Sequence, residues 1–219
     1  MPSRIKIPGQ AKIRSFLMSY YIIGFAGFVI GPTYDIFRNL ISFSILLSAV
    51  LLLLYHRNWS SKFILTLIII FVLGWLIELI GTKTGFPFGE YSYTRLLVPL
   101  LAGVPVILGL NWVFLVYCSF VITSFIPAAK SIRALAGAFL MTAYDFVLEP
   151  FAMHTGMWSW EGDKVPLSNY IAWFLASFIF IRLMYINPTE KQNKLGIFLF
   201  VYQLAFFASL VLTWKILGL

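Results

Sequence analysis

The stretch FILTLIIIFVLGWLIELI, Phe63 to Ile80, runs for eighteen residues with a single charge, Glu78. At 1.5 Å rise per residue a helix of this length covers about 27 Å, close to the roughly 30 Å hydrocarbon core of a bilayer. The rest of the chain has the same character. Of 219 residues 61% are hydrophobic and 11% charged, against about 25% charged in soluble domains, so lipid rather than water is the main solvent of this surface. Further apolar runs, bounded by charges, Gly and Pro, predict helices near 16–34, 39–55, 104–126, 131–149, 168–186 and 195–217. The expectation is an all-α integral membrane protein of about seven transmembrane helices, one polytopic domain over residues 1–219.

A net charge of +8 in a soluble protein would point to nucleic acid. Here the bases sit in short segments between apolar runs, where they set topology instead, so no nucleic-acid partner is expected. With alternating spans, one side holds eleven Lys and Arg (Arg4, Lys6, Lys12, Arg14, Arg57, Lys62, Lys130, Arg133, Arg182, Lys191, Lys194) and the other five (Arg38, Lys83, Arg95, Lys164, Lys215). The positive-inside rule then places the amino terminus in the cytoplasm and the carboxyl terminus outside, across the cytoplasmic membrane. The basic start followed by the run from Phe16 imitates a secretory signal, but no small-residue cleavage site follows, so the run reads as the first span. Cys118, the one cysteine, lies in an apolar run and reads as a small core residue.

Two connections, Gly81–Gly103 and Pro150–Leu167, are long, and both fall on the predicted outer side. The first is rich in Gly, Pro and aromatics. It is too broken to span, so it is expected to fold back as an ordered or re-entrant segment, which membrane proteins tolerate only against protein or a wet cavity. Glu161 and Asp163 beside Lys164 read as solvated.

Glu78, Asp145 and Glu149 are different, because they fall inside predicted spans, where a charge costs at least about 2.5–3.5 kcal/mol at mid-helix. Asp145 and Glu149 are one turn apart on the same face. Like charges at that spacing favour one protonated and one ionised carboxyl, an acid/base pair. Glu78 reads as lying in the last turn of its span, facing Lys83, a cation, or held neutral. The alternative is a polar cluster that fastens helices by pairing with Lys83, Arg95 or His154. His154 could join the acids as a metal ligand, but two widely separated histidines do not form a ligand set, and no metal is expected; His56 reads as interfacial. Trp75, Phe86, Phe88, Tyr91, Tyr93, Trp112, Tyr144, Trp158, Trp160 and Trp173 gather towards the acidic face. They form either an interfacial belt or the lining of a pocket whose π faces stabilise a cation.

The segment GTKTGFPFGEYSY, Gly81 to Tyr93, resembles the membrane carotenoid biosynthesis hydratases, the γ-carotene 1′-hydroxylases and bisanhydrobacterioruberin hydratases. Gly103-Val104-Pro105, Trp112, Thr142-Ala143-Tyr144-Asp145, Gly156 with Trp158 and Trp160, and Pro166-Leu167-Ser168-Asn169 before Trp173 extend the resemblance over roughly residues 74–175. The chain departs from the family pattern at Arg95, at Val98 before Pro99, and at Gly162-Asp163-Lys164-Val165.

The resemblance implies addition of water across the terminal double bond of an acyclic carotenoid ψ-end, giving a tertiary alcohol. That reaction needs a carboxylic acid to protonate the alkene, a shielded cation and a base to activate water. No dinucleotide motif is present and no cofactor is expected. Asp145 is assigned as the principal acid, with Glu78 and Glu149 sharing the base or supporting role; spacing does not order them. Lys83, Phe88, Tyr91, Tyr93, Trp112, Tyr144, Trp158 and Trp173 are expected around the lipophilic substrate, with Asn169 hydrogen-bonding the water or the loop. The rival classes are an intramembrane prenyltransferase, for which Asp145 and Glu149 would be half of a magnesium site, and a non-enzymatic lipophile transporter or binding protein.

Overall fold

A computed structural model describes residues 9–187 and 193–218. Arg4, Lys6, Glu190 and Lys191 lie outside the described residues. The order is α1 (Gln10–Val29), α2 (Tyr34–Asn39), α3 (Ile41–Leu54), α4 (Ser61–Thr84), β1 (Tyr91–Tyr93), β2 (Leu100–Leu101), β3 (Val104–Pro105), α5 (Ile107–Thr123), α6 (Lys130–Thr155), β4 (Trp158–Trp160), α7 (Leu167–Met184) and α8 (Leu195–Leu217).

The seven apolar runs all become helices, but not all become self-sufficient spans. α4, α6, α7 and α8 are long and apolar enough to cross a membrane, and the bent pair α1 and α2 makes a fifth candidate. α3 and α5, at 14 and 17 residues, reach roughly 21 and 26 Å, short of a 30 Å core. The chain is a multi-pass membrane protein, and a count of about seven crossings goes beyond what helix length supports. The first predicted run also breaks: the chain turns by 108° between α1 and α2. Pro32 follows Gly31 there, and a proline cannot continue the ladder of the preceding helix. Thr33 Oγ1 donates to the Gly27 carbonyl at 2.9 Å, replacing a lost helix bond.

α4 has defined ends. Ser60 caps it by accepting from the Phe63 N–H at 3.2 Å, and Gly85 closes it in the left-handed region at φ +73, a conformation that glycine adopts without strain. The helix therefore runs past Ile80, and Glu78 stands well inside it rather than in its last turn.

α5 is the axis of the bundle. It packs against α3, α4, α6, α7 and α8 and is buried nearly all round, Cys118 included, as a helix without an amphipathic stripe must be. α4 and α5 meet through reciprocal glycines: Gly74 receives the Trp112 ring and Gly109 receives Phe71, the small-residue packing by which membrane helices approach.

The long connections meet at one end of the bundle. β1 pairs antiparallel with β4, the Val98 N–H donates to Ser42 Oγ at 3.2 Å, and Arg38 Nε donates to the Thr155 carbonyl at the end of α6 at 2.6 Å. The segment between α4 and α5 is thus ordered, as expected of it. At the other end His56, just past the end of α3, is buried. It stacks on Phe63 at 4.1 Å and shares a 2.7 Å hydrogen bond with Tyr117.

A Cβ at Gly74 would lie 2.6 Å from Trp112 Cγ, whereas one at Gly31 meets nothing within 4 Å. Gly74→Ala is expected to destabilise the detergent-solubilised protein by about 1–3 kcal/mol through overpacking, despite the roughly 1 kcal/mol helix preference of Ala. Thermal unfolding alongside Gly31→Ala, which should change little, checks it; equal behaviour of the two would refute the interlock.

Candidate functional site

β1 reads Tyr-Ser-Tyr and β4 reads Trp-Ser-Trp, and the register sets Tyr91 against Trp160, Ser92 against Ser159 and Tyr93 against Trp158. Strand side chains alternate between faces. The two serines therefore face out, 3.3 Å apart and exposed, while four aromatic rings face in. This alternation is visible in the sequence, and reading the first connection only as an ordered or re-entrant segment does not register it.

The inward rings end in donors, and two glutamates receive them. Glu78 Oε2 accepts from the Tyr91 and Tyr93 hydroxyls, each at 2.7 Å, and Oε1 accepts from Trp112 Nε1 at 3.1 Å. Glu149 Oε2 accepts from Trp158 Nε1 and Trp160 Nε1, both at 2.9 Å. An indole N–H can only donate, so these oxygens act as acceptors. Burial and the neighbouring Glu78 carboxylate both push the Tyr91 and Tyr93 hydroxyls above the usual phenol range, so they stay protonated donors.

Asp145 is 1% exposed. Its Oδ2 accepts from Asn169 Nδ2 at 2.8 Å, and the same Asn169 nitrogen reaches towards Glu149 Oε1 at 3.5 Å. Asp145 Oδ1 has no hydrogen-bond partner among the described residues. A buried oxygen left this way costs about 1–3 kcal/mol, more if charged, unless it meets a ligand or a water. The loops lock this arrangement. Ser168 Oγ donates to the Phe88 carbonyl at 2.8 Å, and Thr94 Oγ1 to the Gly156 carbonyl at 2.6 Å. Gly89, at φ +120, lets the chain pass so close to Pro166 that a Cβ would lie 2.5 Å from its ring.

Around the acids is a chamber of about 30 Å³, enough for one or two waters. Glu78, Asp145, Glu149, Phe88, Tyr91, Tyr93, Trp112, Trp158, Asn169 and Trp173, all picked out in the sequence, line it. Trp112 and Trp173 stack there at 4.3 Å. The chamber abuts an apolar cavity of about 300 Å³ whose rim includes exposed Ile23 on α1 and Phe43 on α3. Leu108, Asn111, Leu148 and Trp158 belong to both walls.

One expectation fails. Lys83 is exposed and lines neither space, because it lies more than a turn beyond Glu78 on α4. Tyr144 lines the apolar cavity rather than the chamber, and there its hydroxyl donates to Gln203 Oε1 at 2.7 Å and Gln203 Nε2 donates to Ser48. The helix-fastening alternative also changes form. The acids are held by neutral donors, while Arg95 is exposed and His154 stacks on Trp214 at 4.0 Å. Among the described residues no group of three or more His, Cys, Asp or Glu could hold a metal ion. Trp160, which the resemblance includes without a site role, and Asn111 also line the chamber; an amide inside the apolar run 104–126 is the signal for Asn111.

The sequence profile described as "Carotenoid biosynthesis protein" matches residues 40–219. The chain belongs to this family. Among curated proteins it is similar to a bisanhydrobacterioruberin hydratase of Haloarcula japonica, 32% identical over 115 residues, a match covering 49% of this chain and 39% of that protein. The chain thus matches well under half the length of that relative. No solved structure matches it.

Removing a donor from Glu78 leaves a buried carboxylate short of a bond. Tyr93→Phe is therefore expected to lower stability by about 1–3 kcal/mol, and Ser92→Ala, on the outward face of the same strand, by less than about 0.5 kcal/mol. Denaturation in a fixed micelle composition measures both, and equal shifts would dismiss the clamp.

Proposed function

We propose that this family member is a carotenoid hydratase, adding water to the terminal double bond of an acyclic ψ-end to give a tertiary alcohol. The single observation that carries the reading is Asp145 Oδ1: buried, without a partner among the described residues, at a chamber of water size that shares a wall with an apolar cavity. The hydratase relative named above supports the same reaction class.

In this reading the polyene end enters from the bilayer between α1 and α3 and presents its last double bond to the chamber. Asp145 carries a proton on Oδ1, since a neutral acid needs no further donor there, and Asn169 fixes the other oxygen. The Asp145 O–H bond breaks as the alkene π pair takes the proton at the less substituted carbon, leaving a tertiary cation. The faces of Trp112, Trp173 and Trp158 shield that cation. Water adds through an oxygen lone pair and loses a proton to Glu149 Oε1, the glutamate oxygen not occupied by indole donors. A following water returns the proton from Glu149 to Asp145. Glu78, saturated by three donors, takes no part in proton transfer and serves as the anchor of Tyr91, Tyr93 and Trp112. The chain sits in the cytoplasmic membrane with its amino terminus inside, so the chamber lies towards the outer face.

Expression in a host accumulating lycopene or γ-carotene in H₂¹⁸O tests this, with mass spectrometry of the pigments. One labelled water added per reacting end is expected. Asp145→Asn should lower turnover by about 10²- to 10⁴-fold, the usual contribution of a general acid, with normal membrane insertion. Unchanged pigments from the wild-type chain with both substrates would overturn the proposal.

A further inference from the structure

Asn111 stands in α5, one residue before the Trp112 that binds Glu78, and faces both the apolar cavity and the acid chamber. Leu108, three residues earlier on the same helix face, shares that position. Other intramembrane amides and acids nearby are spoken for: Asn169 by Asp145, Gln203 by Tyr144 and Ser48, Glu149 by two indoles. The Asn111 side chain forms no hydrogen bond with any described residue. Asn111 is half-buried and opens on these two spaces; an amide beside apolar surroundings without a partner costs a few kcal/mol, so the bond it makes is to something the cavities contain.

The geometry points to Asn111 as the residue that binds the attacking water. It stands where the substrate's apolar end meets the carboxyls, so that water held by its amide lies beside the carbon that becomes cationic. The inference rests on the hydratase reading and adds to it a division of labour: Asp145 delivers the proton, Asn111 places the oxygen nucleophile, Glu149 accepts the proton that water releases. It also predicts the failure mode. If the cation forms with no water in place, it loses a proton and returns to alkene, either the original or one with the double bond moved to a methyl carbon. Atoms balance, since one proton enters and one leaves.

The test uses the full chain in membranes with lycopene in D₂O, following both alcohol and deuterium in recovered hydrocarbon. For Asn111→Leu, alcohol is expected to fall at least about ten-fold while deuterium uptake into the unhydrated pigment persists or rises. Asn111→Ser, which keeps a hydrogen-bonding group, should recover part of the alcohol yield. Undiminished alcohol in Asn111→Leu overturns the assignment, and so does a parallel loss of alcohol and deuterium uptake in both variants, the mark of a structural role. If the wild-type chain takes up deuterium and forms no alcohol, or does neither, the hydratase reading itself falls and this assignment with it.

Discussion

Glu78 and Glu149 stand on different helices, yet both are held by donors from one two-stranded ribbon. Tyr91 and Tyr93 bind the first, Trp158 and Trp160 the second. Most of the site's geometry depends on that clamp. A carboxylate within a bilayer costs at least about 2.5–3.5 kcal/mol, and each hydrogen bond to a charged group returns about 1.5–3 kcal/mol. Two or three such bonds per glutamate are sufficient to keep the acids inside the bundle. In return the acids order a ribbon that would be marginal alone, and the ribbon fixes how the ends of α4 and α6 sit relative to each other.

The helices were legible because lipid leaves a sequence little choice: every apolar run predicted became helical, the first broken into α1 and α2, and buried α5 was among them. The breaks were less legible. The 108° turn after α1 falls at Gly31-Pro32, which the periodicity of the run does not register, and the extension of α4 to Thr84 follows from the cap at Gly85. Of the twelve residues selected for the site, ten surround one chamber, because intramembrane acids and the long aromatic loops are both signals that chemistry imposes on composition. Lys83 was misplaced, and Tyr144 falls in the apolar cavity rather than the chamber, for a common reason. Which side of a helix faces a cavity depends on the rotation of that helix in the bundle, and one sequence does not carry that angle. Asn111 was missed, and Trp160 was named among the aromatics without being assigned to the site, because their importance comes from what stands opposite them.

The motif from Pro166 to Asn169 illustrates how local sequence and long-range geometry converge. Pro166 packs on Gly89, Ser168 holds the Phe88 carbonyl and Asn169 holds Asp145. Within four residues the start of α7 thus grips the far loop and the acid on α6. An error of one residue in the register of α7 would undo all three contacts together, so these positions act as a unit and substitutions among them are not expected to be additive.

The distribution of donors also bears on selectivity. A tertiary cation surrendered to any nearby base eliminates instead of hydrating. Of the six carboxyl oxygens on Glu78, Asp145 and Glu149, three accept from tyrosine hydroxyls and indoles and one from Asn169. The two left with a weak partner or none are Glu149 Oε1 and Asp145 Oδ1. Under the proposed reaction one of these gives a proton and the other takes one from water, and no further basic oxygen of the three acids is offered to the cation. The aromatic clamp therefore removes competing bases as well as holding the acids in place, and it does so with neutral donors.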